Sequence, residues 1–107
     1  EEVSIITRGL KALAMTLQVP IIAAAQLSRA GAEGEPKLEH LRESGSIEQD
    51  ADVVAMLHNP AIAAQPNNRT LFIRKNREGP LGEVPLIALF HISRFAGAVP
   101  LDNSGRE

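Results

Sequence analysis

Three stretches of the chain carry side chains that could do chemistry, and each sits where an ordered segment stops. The first is Gln26, a polar residue directly after the continuous apolar run 21–25. Ligands of open α/β sheets bind outside the carboxyl ends of the strands, so an amide there could test for a phosphate or a water. On position alone, it more simply ends the strand and hydrogen-bonds a neighbouring backbone group. The second stretch, 41–52, reads Leu-Arg-Glu-Ser-Gly-Ser-Ile-Glu-Gln-Asp-Ala-Asp. Small-residue loops and helix starts offer backbone N–H groups that bind phosphate without reading bases. Taken alone, it is read more simply as a capped turn with a solvated acidic face, and its spacing matches neither a calcium loop nor a zinc site. The third is Arg74-Lys75-Asn76-Arg77, running out of a strand toward a Gly-Pro turn. Residues two apart on a strand share a face, so Lys75 and Arg77 project together, and two adjacent cations favour an anion such as a nucleotide polyphosphate. A solvated basic hairpin end explains them as well.

Several chemistries are missing from the sequence. No Gly-x-x-x-x-Gly-Lys-Ser/Thr phosphate loop occurs, and no apolar strand ends in the aspartate that would hold Mg²⁺. The chain by itself is therefore expected not to hydrolyse ATP. His40, His58 and His91 form no paired ligand motif, and neither Ser28 nor Ser93 sits in a Gly-x-Ser-x-Gly turn.

Period and punctuation place the elements that must position these residues. Apolar residues at Val3, Ile6, Leu10, Leu13, Ala14 and Leu17 make one helical stripe over 2–17, which Val19-Pro20 ends. The run 21–25, apolar without alternation, reads as a strand buried on both faces of a parallel sheet. Residues 30–36, Ala-Gly-Ala-Glu-Gly-Glu-Pro, are expected to form a flexible surface loop. Short helical turns are expected over 37–42 and over 47–52, separated by Ser44-Gly45-Ser46, with Ser46 as the cap of the second. Residues 53–57, 70–74, 83–90 and 93–96 read as strands, with a Gly-Pro turn at 78–82. The fold class is thus α/β, a parallel sheet with flanking helices that finishes in antiparallel β-hairpins, and the tail 102–107 is polar.

Composition narrows the function classes. The chain has 107 residues, 44% hydrophobic and 22% charged, which suits one domain or a piece of one. Its formal charge of -2 excludes a general polycation, so nucleic-acid contact must be local. With three Phe and no Trp or Tyr, a base-stacking platform is improbable. Cys is absent, which removes disulfides, thiolate catalysis and Cys-based zinc sites. No apolar run approaches the roughly 20 residues of a membrane span, so a cytoplasmic, membrane-independent chain is expected.

The segment 41–52 closely resembles the signature near the end of the RecA-like motor domain of DnaB-type replicative helicases. Leu10-Lys11-Ala12-Leu13-Ala14, Val19-Pro20-Ile21-Ile22-Ala23, Gln26-Leu27-Ser28-Arg29 and residues 75–82 agree in order. The resemblance implies a partial RecA-like nucleotidase core over 1–101, with the phosphate loop and the Mg²⁺-binding strand expected upstream of Glu1. It implies that Gln26 is the sensor for the terminal phosphate of ATP. It implies that Arg42, Glu43 and Gly45 contact the single-stranded DNA backbone, and that Lys75 and Arg77 enter a neighbouring subunit's ATP site, with Arg77 as arginine finger. ATP and Mg²⁺ are the implied cofactors of the parent protein. The implied partners are single-stranded DNA and the other subunits of a homo-hexamer, with a primase and a helicase loader as further candidates and no membrane. The other reading is a non-enzymatic remnant or accessory protein that keeps the DNA loop and subunit interface without an ATP site. A recombinase of the RecA superfamily is a weaker rival, because the Arg-Glu-Ser-Gly-Ser loop points elsewhere.

Overall fold

A computed structural model describes residues 2–27, 34–41, 44–61 and 63–98. Helix α1 spans Glu2–Leu17, with Glu2 in its first turn, where a carboxylate complements the helix dipole. It ends because Gln18 takes a left-handed conformation (φ 57°) and the Val19 N–H donates to Ala14 O at 3.2 Å, a Schellman-type stop. The apolar stripe is only partly covered: Leu10 and Ala14 are half-buried, whereas Ile6, Leu13 and Leu17 are exposed.

The segment expected to be a buried strand, 21–25, forms no strand, and Ile22 is 96% exposed. A strand needs at least one neighbour to take its backbone hydrogen bonds, and no described strand pairs with this segment. No parallel ladder occurs among the described residues. Instead α1, residues 19–27 and strand β1 (Val53–His58) line an open cleft of about 1280 Å³.

The sheet is an antiparallel meander. After β1 come β2 (Asn68–Asn76), β3 (Gly82–Leu89) and β4 (Arg94–Gly97), in spatial order β1-β2-β3-β4. Each connection is short, so every strand finds its partner locally. β1 alternates as a strand with one covered face should, burying Val54 and Met56 while Val53, Ala55 and Leu57 stay exposed. Met56 lies opposite Phe72, also buried, and the His58 ring is 5.8 Å from that of Phe72. Pro36, just before the short 3₁₀ turn Leu38–His40, is fully buried. The Arg74 Nε donates to Pro36 O at 2.8 Å, and its guanidinium lies 4.3 Å from the Phe72 ring centroid. Arg74 therefore pins the 34–41 segment to the buried sheet face. The last hairpin turns through Phe90–Ile92, with Ser93 left-handed at φ 51°.

A further difference from the sequence expectation concerns 44–52. Ser44-Gly45-Ser46 is not a break but the first turn of helix α2, Ser44–Asp50, so Ser46 lies inside the helix rather than capping it. Helix starts leave their first N–H groups unpaired in any case, so small polar residues cost little there.

Candidate functional site

The pairing of β1 with β2 contains a bulge. Val53 and Val54 lie opposite Asn76 and Lys75, but Ala55 lies opposite Ile73, so Arg74 is the extra residue. The slip sets the end of β2 and its turn against the residues just before β1. Arg77, one residue beyond the strand rather than within it, donates its backbone N–H to Asp52 O at 2.8 Å. Its Nη1 meets Asp52 Oδ1 at 2.6 Å and its Nη2 meets Gln49 O at 3.2 Å. The Lys75 ammonium donates to Glu48 O.

Lys75 and Arg77 thus project to one place, whereas Arg74 engages Pro36 and the Phe72 ring. They meet the C-terminal end of α2, where unpaired carbonyls and the negative end of the helix dipole favour cations. Asp52 completes the cluster, because Lys11 of α1 donates to both its oxygens at 2.7 and 2.9 Å. The hydrogen bond from Lys11 lowers the Asp52 carboxyl below its ordinary range, against the opposing effect of burial. The positive charges of Lys11, Arg77 and Lys75 act in the same lowering direction. Thr7 of α1 adds a hydrogen bond to Asp50 Oδ2 at 2.7 Å. Two helices and the β2–β3 turn therefore converge on one ionic cluster.

Arg77 is 41% exposed, and its guanidinium carries five N–H donors, only some of which these contacts use. It can hold Asp52 and still present donors to an outside anion. Gly45 occupies the first turn of α2, at the far end of a seven-residue helix, and a Cβ built there meets nothing within 4 Å. Local packing does not require glycine at that position. Arg42 and Glu43 lie outside the described residues, as do Ser28, Arg29 and the tail 102–107. Gln26 is exposed and lines the cleft, whose lining includes Asp52 but neither Lys75 nor Arg77. Among the described residues, no group of three or more His, Asp or Glu is placed to hold a metal ion.

Nothing in the local sequence singles out Asp52 as a partner of Arg77. The signal is a long-range one: Asp52 lies 25 residues from Arg77 and meets it only through the shifted register.

Comparison with known proteins bears on the whole chain. Residues 1–97 match the model of the DnaB-like helicase C-terminal domain. The replicative DNA helicase DnaB of Leifsonia xyli subsp. xyli is 45% identical over 94% of this chain and 24% of its own length. That of Geobacillus stearothermophilus is 43% identical over 89% of this chain and 22% of its own. The chain thus spans about a quarter of these relatives' length. Among solved structures, an ATPase domain superposes with a TM-score of 0.78 at 36% identity, covering 90% of this chain and 36% of that one. A DnaB-like replicative helicase, solved with attention to its interactions with primase, gives 0.75 at 37%, covering 86% of this chain and 24% of that one. With one α/β architecture, four motifs in order and a family match along nearly its full length, the chain belongs to the DnaB-like helicase C-terminal domain family.

Proposed function

We propose that residues 1–101 are the C-terminal portion of the motor domain of a replicative DNA helicase. The parent hexamer hydrolyses ATP at its subunit interfaces and uses the energy to move along single-stranded DNA and unwind duplex. Lys75 and Arg77 serve the neighbouring subunit's nucleotide, with Arg77 as the arginine finger. Gln26 reports the state of the terminal phosphate. Arg42, Glu43 and Gly45 hold the DNA backbone. Primase and a loader are proposed partners of the parent, and the cytoplasm its compartment; no described helix is long and apolar enough to cross a membrane.

One observation carries this reading. Lys75 and Arg77 both bond the last-turn carbonyls of α2, and the first turn of the same helix holds Gly45. Seven residues at about 1.5 Å each make a strut of about 10 Å. A pull on either end is carried to the other, which is what a motor needs between its nucleotide and DNA contacts.

ATP with Mg²⁺ supplies the hydrolysable phosphoanhydride. Arg77, exposed and with donors to spare, fits a phosphate presented from outside its own subunit. Its planar fork would meet the charge that develops on the phosphoryl oxygens, and Lys75 beside it adds a compact positive charge.

Arg77→Ala in the full-length parent should leave nucleotide binding largely intact and cut turnover by about a thousandfold or more. Mixing it with a parent defective only in the phosphate-loop lysine should restore part of the activity, because some interfaces then join an intact loop to an intact finger. No recovery at any ratio, in rings shown to have exchanged subunits, would place Arg77 inside its own subunit's chemistry or outside catalysis.

A further inference from the structure

The cluster around Arg77 contains a residue to which the proposed mechanism gives no task. Asp52 contacts Arg77 twice, through its carbonyl to the backbone N–H at 2.8 Å and through Oδ1 to the guanidinium at 2.6 Å. A long, flexible side chain held at both its backbone and its tip by one partner keeps few of its rotamers. Gln49 O takes the other terminal nitrogen, so the plane of the guanidinium is set as well as its position. Asp52 is itself held, because Lys11 engages both of its carboxylate oxygens. The chain of contacts runs from α1, through Asp52, to the guanidinium.

We propose that Asp52 is the positioning residue that orients Arg77 toward the neighbouring subunit's nucleotide, with Lys11 fixing Asp52 in turn. This inference rests on the finger role proposed above for Arg77. A carboxylate suits the task because it accepts from two cations at once, so one side chain can tie the β2–β3 turn to α1. An anion arriving from outside can take the guanidinium donors that Asp52 and Gln49 leave free, so the finger need not be released to act.

The test is Asp52→Asn in the full-length hexamer, an isosteric change that keeps the backbone bond and removes the charge. Misplacing a reacting group by about 1 Å can cost about a hundredfold, so kcat should fall by about ten- to a hundredfold while KM for ATP changes little. In an Arg77→Ala background the same change should cost nothing further. A role in general stability would instead lower kcat by the same factor in both backgrounds, and would overturn the proposal. Mixed rings give a second readout that a merely structural defect would not produce. Asp52→Asn subunits should regain activity with phosphate-loop-lysine mutants but not with Arg77→Ala subunits, because those two lesions lie on the same side of the interface. If Asp52→Asn yields no hexamer, Asp52→Glu, which keeps the charge and shifts it by one methylene, should show the same pattern with a smaller loss. Wild-type kcat in both variants, in a protein that Arg77→Ala inactivates, would refute the positioning role alone. Full turnover of Arg77→Ala would remove the finger role, and the positioning role with it.

Discussion

The antiparallel half of the chain, from β1 to β4, and the segment 21–27 are both rich in apolar residues and have opposite fates. In the hairpins, each strand's partner comes from the adjoining stretch of chain, the ladders close, and Met56, Phe72 and Ala88 are buried. In 21–27, the apolar residues find no ladder, and Ile22 stands almost wholly in solvent. An apolar run thus declares a need for burial without naming the source of its cover. Hairpins close locally, whereas a strand of a parallel sheet depends on partners brought from a distance.

That contrast should be measurable. Phe72→Ala should destabilise the sheet by about 3–5 kcal/mol through the cavity it leaves. Ile22→Ala in this chain should change stability by less than about 0.5 kcal/mol. Urea unfolding followed by far-UV circular dichroism would show both, and equal losses would mean the two regions are not different after all. In the full-length parent, Ile22→Ala should cost about 2–5 kcal/mol if the segment acquires neighbours there.

Arg74 tests the same contrast from the covered side. Losing its hydrogen bond to Pro36 O and its stacking on Phe72 should cost about 2 kcal/mol in Arg74→Ala. Turnover of the parent should fall far less than for Arg77→Ala, since Arg74 is held by Pro36 and Phe72 rather than by the ionic cluster. A thousandfold loss, of the size expected for the finger, would mean the two arginines do not divide their labour.

At the joint between α1 and the unpaired segment, Gln18→Gly should stabilise the chain by about 0.5–1 kcal/mol by relieving a left-handed residue that has a Cβ. A loss in the same unfolding experiment would show instead that the Gln18 side chain holds the joint.

The smallest effect is on pH. The Asp52 carboxyl is lowered in the folded chain, so its contribution is present above the unfolded-state value and is lost as pH falls through the lower, folded value. Contacts between α1 and the β2–β3 turn should weaken only below the ordinary carboxylate range. A carboxyl NMR titration checks this, and a midpoint above that range would contradict the ionic cluster.

Much of the fold is legible from local pattern. The spacing of Val3, Ile6, Leu10, Leu13 and Leu17 specifies α1, and the turn residues around Gly79 and Pro80 mark the hairpin that presents Arg77. The helix over Ser44–Asp50 starts earlier than pattern suggests, because Ser and Gly break helix interiors yet are tolerated in first turns. The two-residue spacing suggests that Lys75 and Arg77 come together, although Arg77 lies past the end of β2, but their anchorage on α2 is not legible.

Local sequence was enough for the hairpin strands and for bringing Lys75 and Arg77 together. Which carboxylate Arg77 would meet was settled by tertiary contacts alone. Continuing the register of Leu57 opposite Leu71 and Ala55 opposite Ile73 would have set Asp52 against Asn76. The bulge at Arg74 advances β2 by one residue and sets Asp52 against Arg77 instead. A bulge costs ladder bonds and is kept where other contacts hold its extra residue, here Pro36 and the Phe72 ring. Phe72 is a near neighbour on the same strand, but Pro36 lies 38 residues away, so the pattern around 74–77 alone does not encode what holds the bulge.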